Sequence, residues 1–245
     1  YFRAFDEPFV EEIKSYAVNY FRKILSNLGW EPKKSDKHTD ALLRTFAIAV
    51  LGKMNDDSVT DEAIRKYKKF LKSPRSLSPD LIETICSIAA WNGNSKTFAE
   101  LKKLYTNAKT MEEKLRFLGA MCGFQDKKLL VKTLDFSQTS AVRSQNMQLP
   151  IMKIAGNPYG DKVLWSWLKK NWKKINKKVG HGNPLFNRIV ASITGVADDS
   201  MEKEIKLFFK NNPTPGTERT QSQTLERIRI NSKFLRTMRK EFKNG

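Results

Sequence analysis

Residues Ala155-Gly156-Asn157-Pro158, followed by Val163-Leu-Trp-Ser-Trp-Leu-Lys-Lys-Asn-Trp172, decide how the chain is read. Gly and Asn accept the left-handed conformation and Pro cannot continue a helix, so the triplet 156–158 is expected to stop one. Behind it Val163, Leu164, Trp167, Leu168 and Ile175 recur at helical spacing, Trp165 and Trp172 lie seven apart, and lysines fill the remaining positions. One helix stops, the chain turns, and a second helix with an aromatic face packs back.

The same arrangement repeats in both directions. Asp6 and Pro8 open a helix whose stripe is Phe9, Val10, Ile13, Ala17, Tyr20, Phe21, Ile24 and Leu28, closed by Gly29. Residues 39–51 form the next, with Leu42, Leu43, Phe46, Ala47 and Val50 as its apolar set and Gly52 as its stop. A third covers about 59–72, with Ile64, Tyr67 and Leu71 inward. Ser78-Pro79-Asp80 marks a start, and Thr110 with Glu113 forms a capping box. Residues 184–197 and 200–211 make a pair in which Ile189, Val190 and Ile193 face Ile205, Phe208 and Phe209. Pro213 to Gly216 breaks the chain before a terminal helix with Leu225, Ile228, Phe234, Leu235 and Met238.

No period-two run appears. Helix pairs begin near 40, 80, 112, 144 and 185. Spacing of that kind predicts an all-α chain, an α-solenoid of HEAT or armadillo-like helix pairs, right-handed and curved with a concave face. The whole of 1–245 is expected to form a single helical-repeat domain: a leading helix and connector (1–36), the helix pairs (37–212) and a terminal helix (213–245).

The formal net charge is +19 over 245 residues. Residues 151–245 carry 20 Lys and Arg against 8 Asp and Glu, and residues 1–150 carry 25 against 18. A basic surface of that kind suits an acidic partner, an acidic substrate or nucleic acid, or is simply a solvated face. No run is apolar enough to cross a membrane. Cys86 and Cys122 sit inside apolar helical runs, as buried free thiols of a reducing compartment do, with a disulfide between neighbouring helices or a catalytic thiol as the alternatives, so a cytoplasmic location is expected. The start at Tyr1, without Met, is expected of a piece of a longer polypeptide.

Catalytic patterns are missing. His38 and His181 are far apart and neither lies in His-Glu-x-x-His, so the helical pair of imidazoles that zinc catalysis needs does not occur. Gly180-His181-Gly182 lacks the lysine spacing of a phosphate loop. Asp56-Asp57 and Asp198-Asp199 stand where they complement helix N-termini. The chain is expected to be inactive on its own.

Four ordered stretches nevertheless carry a likeness. His38-Thr-Asp-Ala-Leu-Leu-Arg44 comes first, then Glu112 to Leu130 with its Ala-Met-Cys-Gly-Phe-Gln-Asp core. Gly156-Asn-Pro-x-Gly160 with Trp165 and Asn171-Trp172 follows. Last are Phe208-Phe209 and Gln223-Thr-Leu-Glu226-Arg-Ile228-Arg-Ile-Asn231. Together they resemble the C-terminal helical domain of zinc aminopeptidases of the aminopeptidase N, puromycin-sensitive and tricorn-interacting-factor family.

The resemblance implies a helical cap over a separate thermolysin-like domain that holds the zinc, so this chain binds no metal itself. Its implied partners are the catalytic and N-terminal domains of the same polypeptide and peptide substrates, with neither membrane nor nucleic acid. Arg116, Arg143, Lys153 and Arg188 are the candidates for a basic wall meeting a peptide's distal carboxylate. Arg44, Gly156, Asn157, Pro158, Trp165, Trp172, Gln223, Glu226 and Asn231 are read as structural positions of the family motifs. Asn231 and Glu226 are expected to bond across helices, and Arg44 to pair with an acid across the repeat. Relatives that trim long peptides often carry an arginine just after the turn cysteine; here Gly123 stands there, leaving Lys127, Arg116 or Arg143 as substitutes. The competing readings are a basic HEAT-type module for nucleic acid or an acidic protein, and a purely structural scaffold with an exposed apolar patch. An isolated cap is also expected to self-associate weakly.

Overall fold

A computed structural model describes residues 8–179, 183–195 and 199–241. Asp6, the side chain of Phe9, Gly180-His181-Gly182 and the Asp198-Asp199 side chains lie outside the described residues. Twelve α-helices and no strand occur among the described residues, so the fold is all-α as the periodicity predicts. The helices fall into two compact units, one ending at Gln125 and one beginning at Asp126.

The first unit contains α1 (Pro8–Leu28), α2 (His38–Lys53), α3 (Asp57–Lys72), α4 (Pro79–Trp91), α5 (Ser95–Asn107) and α6 (Met111–Ala120). Helix α4 is its centre and packs on α2, α3, α5 and α6. Its sequence explains why: Leu81, Ile85, Cys86, Ile88, Ala89, Ala90 and Trp91 are buried on nearly every side. The Thr110–Glu113 box forms as read: Thr110 Oγ1 accepts from the Glu113 amide, and Glu113 accepts from the Thr110 amide, both at 3.2 Å. At Ser78 the expected start is present, but the serine side chain makes no capping bond; its carbonyl accepts from the Leu81 amide instead.

Helix α2 turns a different face inward from the one its sequence suggests. Leu42, Leu43 and Phe46 are exposed, while Arg44, Ala47, Ile48, Leu51 and Gly52 are buried. Gly52 is not a stop. The helix runs on to Lys53, and a Cβ on Gly52 would lie 2.5 Å from Ile88 Cδ1, so the missing side chain lets α2 and α4 approach. The stop falls at Asn55, at φ 58, whose Oδ1 accepts the Trp91 indole N–H at 3.1 Å. Along α1, Ile13 and Tyr20 are exposed too, and only Val10 and Leu25 among the described side chains are fully buried. On α3 the inward set is Val59, Ala63, Tyr67 and Phe70, with Ile64 and Leu71 half-buried.

The second unit contains α7 (Lys127–Ser137), α8 (Gln148–Ala155), α9 (Asp161–Val179), α10 (Pro184–Ala191), α11 (Asp199–Asn211) and α12 (Glu218–Glu241). Here α8 packs on α10 and α10 on α12, while α7 meets α9 and α11 meets α12. In the first unit α2, α4 and α6 likewise touch in succession. The helices expected to open each pair, near 40, 80, 112, 144 and 185, are α2, α4, α6, α8 and α10. Within each unit they form the contacting row, the pattern stacked helix pairs produce. On α12 the buried residues are Thr224, Ile228, Ser232 and Leu235, and the expected core residue Phe234 is exposed.

Candidate functional site

The turn between α8 and α9 builds the aromatic cluster on which the second unit is assembled. Gly156 closes α8 at φ −84, a right-handed conformation, so the stop is not the left-handed cap that the Gly-Asn pair suggests. Asn157 makes the turn instead: it is buried, and its Oδ1 accepts the Tyr159 amide at 2.9 Å. The Asn157 carbonyl accepts from Gly160, and the Gly160 carbonyl accepts from Leu164 in the first turn of α9. Gly160 is packed so tightly that a Cβ there would lie 2.0 Å from the Ile154 carbonyl oxygen.

That turn delivers three tryptophans into the core. Trp165, Trp167 and Trp172 are each under 5% exposed. Trp172 meets the rings of Phe186, Phe208 and Phe209 edge-on at 5.0, 5.3 and 5.6 Å, and Trp165 meets Phe208 at 5.1 Å. The phenylalanines of α11 therefore seat against α9. Each edge-to-face pair adds about 0.5–1.5 kcal/mol to simple burial. Two of the three indole N–H groups are placed by acids: Trp165 donates to Glu204 and Trp167 to Asp135, at 3.1 and 2.8 Å, while the buried Trp172 Nε1 has no hydrogen-bond partner among the described residues. Lys169 ion-pairs with the same Glu204, and this contact, then the indole, holds the Glu204 carboxyl below the usual carboxylate range.

Other motif residues are structural ties. Asn231 Nδ2 donates to the Thr194 carbonyl at 3.0 Å, joining α12 to the turn after α10. Gln223 and Glu226 are exposed on α12, and Pro158 is exposed in the turn. Arg44 is 1% exposed, and its acid is not across the repeat but in the connector just before α2: Nη2 bonds Asp36 Oδ2 at 2.5 Å. Its Nε and Nη2 also donate to the Gly29 and Leu28 carbonyls at 3.0 and 3.2 Å. One guanidinium thus satisfies the orphan carbonyls and negative end of α1 while holding the connector. The Lys33 amide, with Arg44 second, keeps the Asp36 carboxyl below its ordinary range.

The four basic-wall candidates divide between the units. Arg116 lies in the first, where Nη2 pairs with Glu112 one turn back at 2.6 Å. Arg143, Lys153 and Arg188 lie in the second, all exposed. Arg188 Nη1 donates to Gln148 Oε1 at 3.1 Å, tying α10 to the start of α8. Gly123 ends a 3-10 turn after α6, and a Cβ there would stand 3.0 Å from the Ser87 carbonyl, so a larger residue has to press on α4. Lys127 is exposed at the start of α7.

No group of three or more His, Cys, Asp or Glu able to hold a metal ion occurs among the described residues. Cys86 and Cys122 are buried thiols outside any disulfide, Cys122 Sγ donating to the Leu118 carbonyl at 3.2 Å, and burial pushes the Cys86 thiol far above its ordinary range. No described helix is long and apolar enough to cross a membrane. What sequence reasoning missed is the exposed apolar set of α1 and α2: Tyr16, Tyr20, Leu42 and Phe46 are 74, 54, 62 and 57% exposed. Its only signal was an apolar stripe too wide for a half-buried helix.

Comparison with known proteins gives these features a family. The chain is 30% identical over 234 residues to Aminopeptidase M1-D of Oryza sativa subsp. japonica, covering 94% of this chain and 27% of that protein. It is 27% identical over 241 residues to Aminopeptidase M1 of Arabidopsis thaliana, covering 96% and 27%. With Aminopeptidase 2, mitochondrial, of Saccharomyces cerevisiae it shares 26% over 232 residues, covering 92% and 24%. The chain thus spans about a quarter of the length of these relatives. The ERAP1-like C-terminal domain matches over residues 1–230, and the chain belongs to that family.

Proposed function

We propose that this chain is the C-terminal cap of a zinc aminopeptidase that removes N-terminal amino acids from peptides. The observation that carries the reading is the family match over residues 1–230, joined to relatives that are aminopeptidases about four times as long. The cap walls a substrate chamber and helps hold the peptide's distal end. The zinc and the groups acting on the scissile bond reside in the remainder of the polypeptide. Arg116, Arg143, Lys153 and Arg188 supply positive charge to the wall, which attracts a terminal carboxylate without reading a sequence. The exposed apolar residues of α1 and α2 meet the preceding domains.

The test is steady-state kinetics of the full-length enzyme carrying Lys153→Glu and Arg188→Glu. KM for nonapeptides should rise several-fold while hydrolysis of a leucine amide, which has no distal end, stays unchanged. Equal effects on both substrates, or none on either, would remove the distal-end role.

A further inference from the structure

A groove of about 520 Å³ runs along α7 and α9, wholly inside the second unit. It is lined by Lys127, Val131 and Asp135, each one turn from the next on α7, and by Lys162 and Lys170, two turns apart, beside Val163 and Trp167 on α9. All three lysines are exposed, and none forms an ion pair among the described residues. The one carboxylate, Asp135, is already bonded by the Trp167 indole N–H at 2.8 Å. Val131 and Val163 are half-buried and add apolar surface to the same lining.

We propose that this groove is a docking site for a short acidic segment of a polypeptide, an aliphatic side chain on the two valines and carboxylates on the lysines. The volume lies within the roughly 300–1,000 Å³ typical of ligand sites, room for a few residues. Three unpaired ammonium groups against one engaged carboxylate set the sign of the ligand. The two valines set its other half. Nucleic acid is the weaker fit, because its bases need an exposed aromatic face, and Trp167, the groove's aromatic residue, is 4% exposed. The site owes nothing to terminal amine or carboxylate recognition, so it stands or falls apart from the cap function.

The experiment is fluorescence anisotropy on the 245-residue chain, with a labelled peptide Glu-Leu-Glu-Glu-Leu-Asp blocked at both ends. Reversing Lys127, Lys162 and Lys170 together (K127E, K162E, K170E) should weaken binding by roughly tenfold or more. Reversing three other exposed lysines of the same unit (K173E, K203E, K210E) should change it less than threefold, roughly the effect of net charge alone. Replacing both leucines of the peptide by serine should also lose several-fold. Melting curves accompany every variant, and if the triple variant is unstable the single change Lys170→Gln carries the comparison. Equal losses from the two lysine sets, indifference to the leucines, or tighter binding of an oligothymidylate of equal charge would each overturn the proposal.

Discussion

Replacing Gly160 by alanine tests whether the α8–α9 turn is a close-packed device. The added Cβ would lie 2.0 Å from the Ile154 carbonyl oxygen and 2.9 Å from the Ile154 carbonyl carbon, about 1.4 Å inside the 3.4 Å at which ordinary contact begins. The obstacle is backbone, and that carbonyl already accepts the Asn157 amide at 3.0 Å, so relief means opening the turn. Overpacking of this kind costs about 1–3 kcal/mol and more where backbone must move; we expect about 3 kcal/mol for Gly160→Ala. For a chain of this size that is a fall in Tm of roughly 6–12 °C. Gly156→Ala, four residues earlier, is the control. Gly156 is exposed and right-handed, so alanine should be neutral or stabilising by about 0.4–1 kcal/mol. Thermal and urea unfolding followed by circular dichroism reads both. If Gly160→Ala matched the parent, or Gly156→Ala lost as much, the account of this turn would be refuted.

Three other outcomes follow from the same geometry. Arg44→Met removes a buried cation that holds the Leu28 and Gly29 carbonyls at the end of α1 and Asp36, and should cost about 3–5 kcal/mol in urea unfolding; a change under about 1 kcal/mol would show that the connector does not depend on it. Acid should destabilise the fold. Asp36 is held below its ordinary range by the Lys33 amide and Arg44, and Glu113 by the Thr110 and Lys109 amides. Burial pushes the Asp56 carboxyl up, but the Val59 amide, Arg22 and Ser58 outweigh it. Depressed folded-state values give stability that is complete above the unfolded-state values near pH 4 and is lost as pH falls through the folded ones, so the urea midpoint should drop between about pH 5 and 3. A flat midpoint across that window would contradict the assignment. Finally, a thiol reagent at pH 8 should leave Cys86 and Cys122 unmodified in the native chain and label both in guanidinium; rapid native labelling would mean that the thiols are not buried.

The repeat was legible because it is written in helix starts. Ser78-Pro79 and Thr110 with Glu113 lie where chain direction changes, and those local signals do not depend on distant packing. The tryptophan core was legible for the same reason, since seven-residue spacing puts Trp165 and Trp172 on one side whatever they meet. Tertiary choices were not. Helix α2 has apolar residues on two faces, and periodicity cannot tell which meets α4; Gly52, read as a stop, decides it by admitting Ile88. The handedness of Gly156 was set by the Asn157 side-chain bond, which sequence alone does not rank against a left-handed cap. Arg44 looked like a partner for a neighbouring repeat, yet the nearest acid was eight residues back, brought close by the end of α1. The basic candidates were the least legible part, because a lysine or arginine on a helix face carries no sign of what stands opposite.

The most direct test of the cap reading is aminopeptidase activity on fluorogenic leucine and alanine amides, with zinc content, for this chain alone and after mixing with the remainder of its polypeptide. The account predicts no bound zinc and no turnover from the chain alone, with activity or an altered peptide-length preference appearing on mixing. Zinc and turnover from the isolated chain would contradict it.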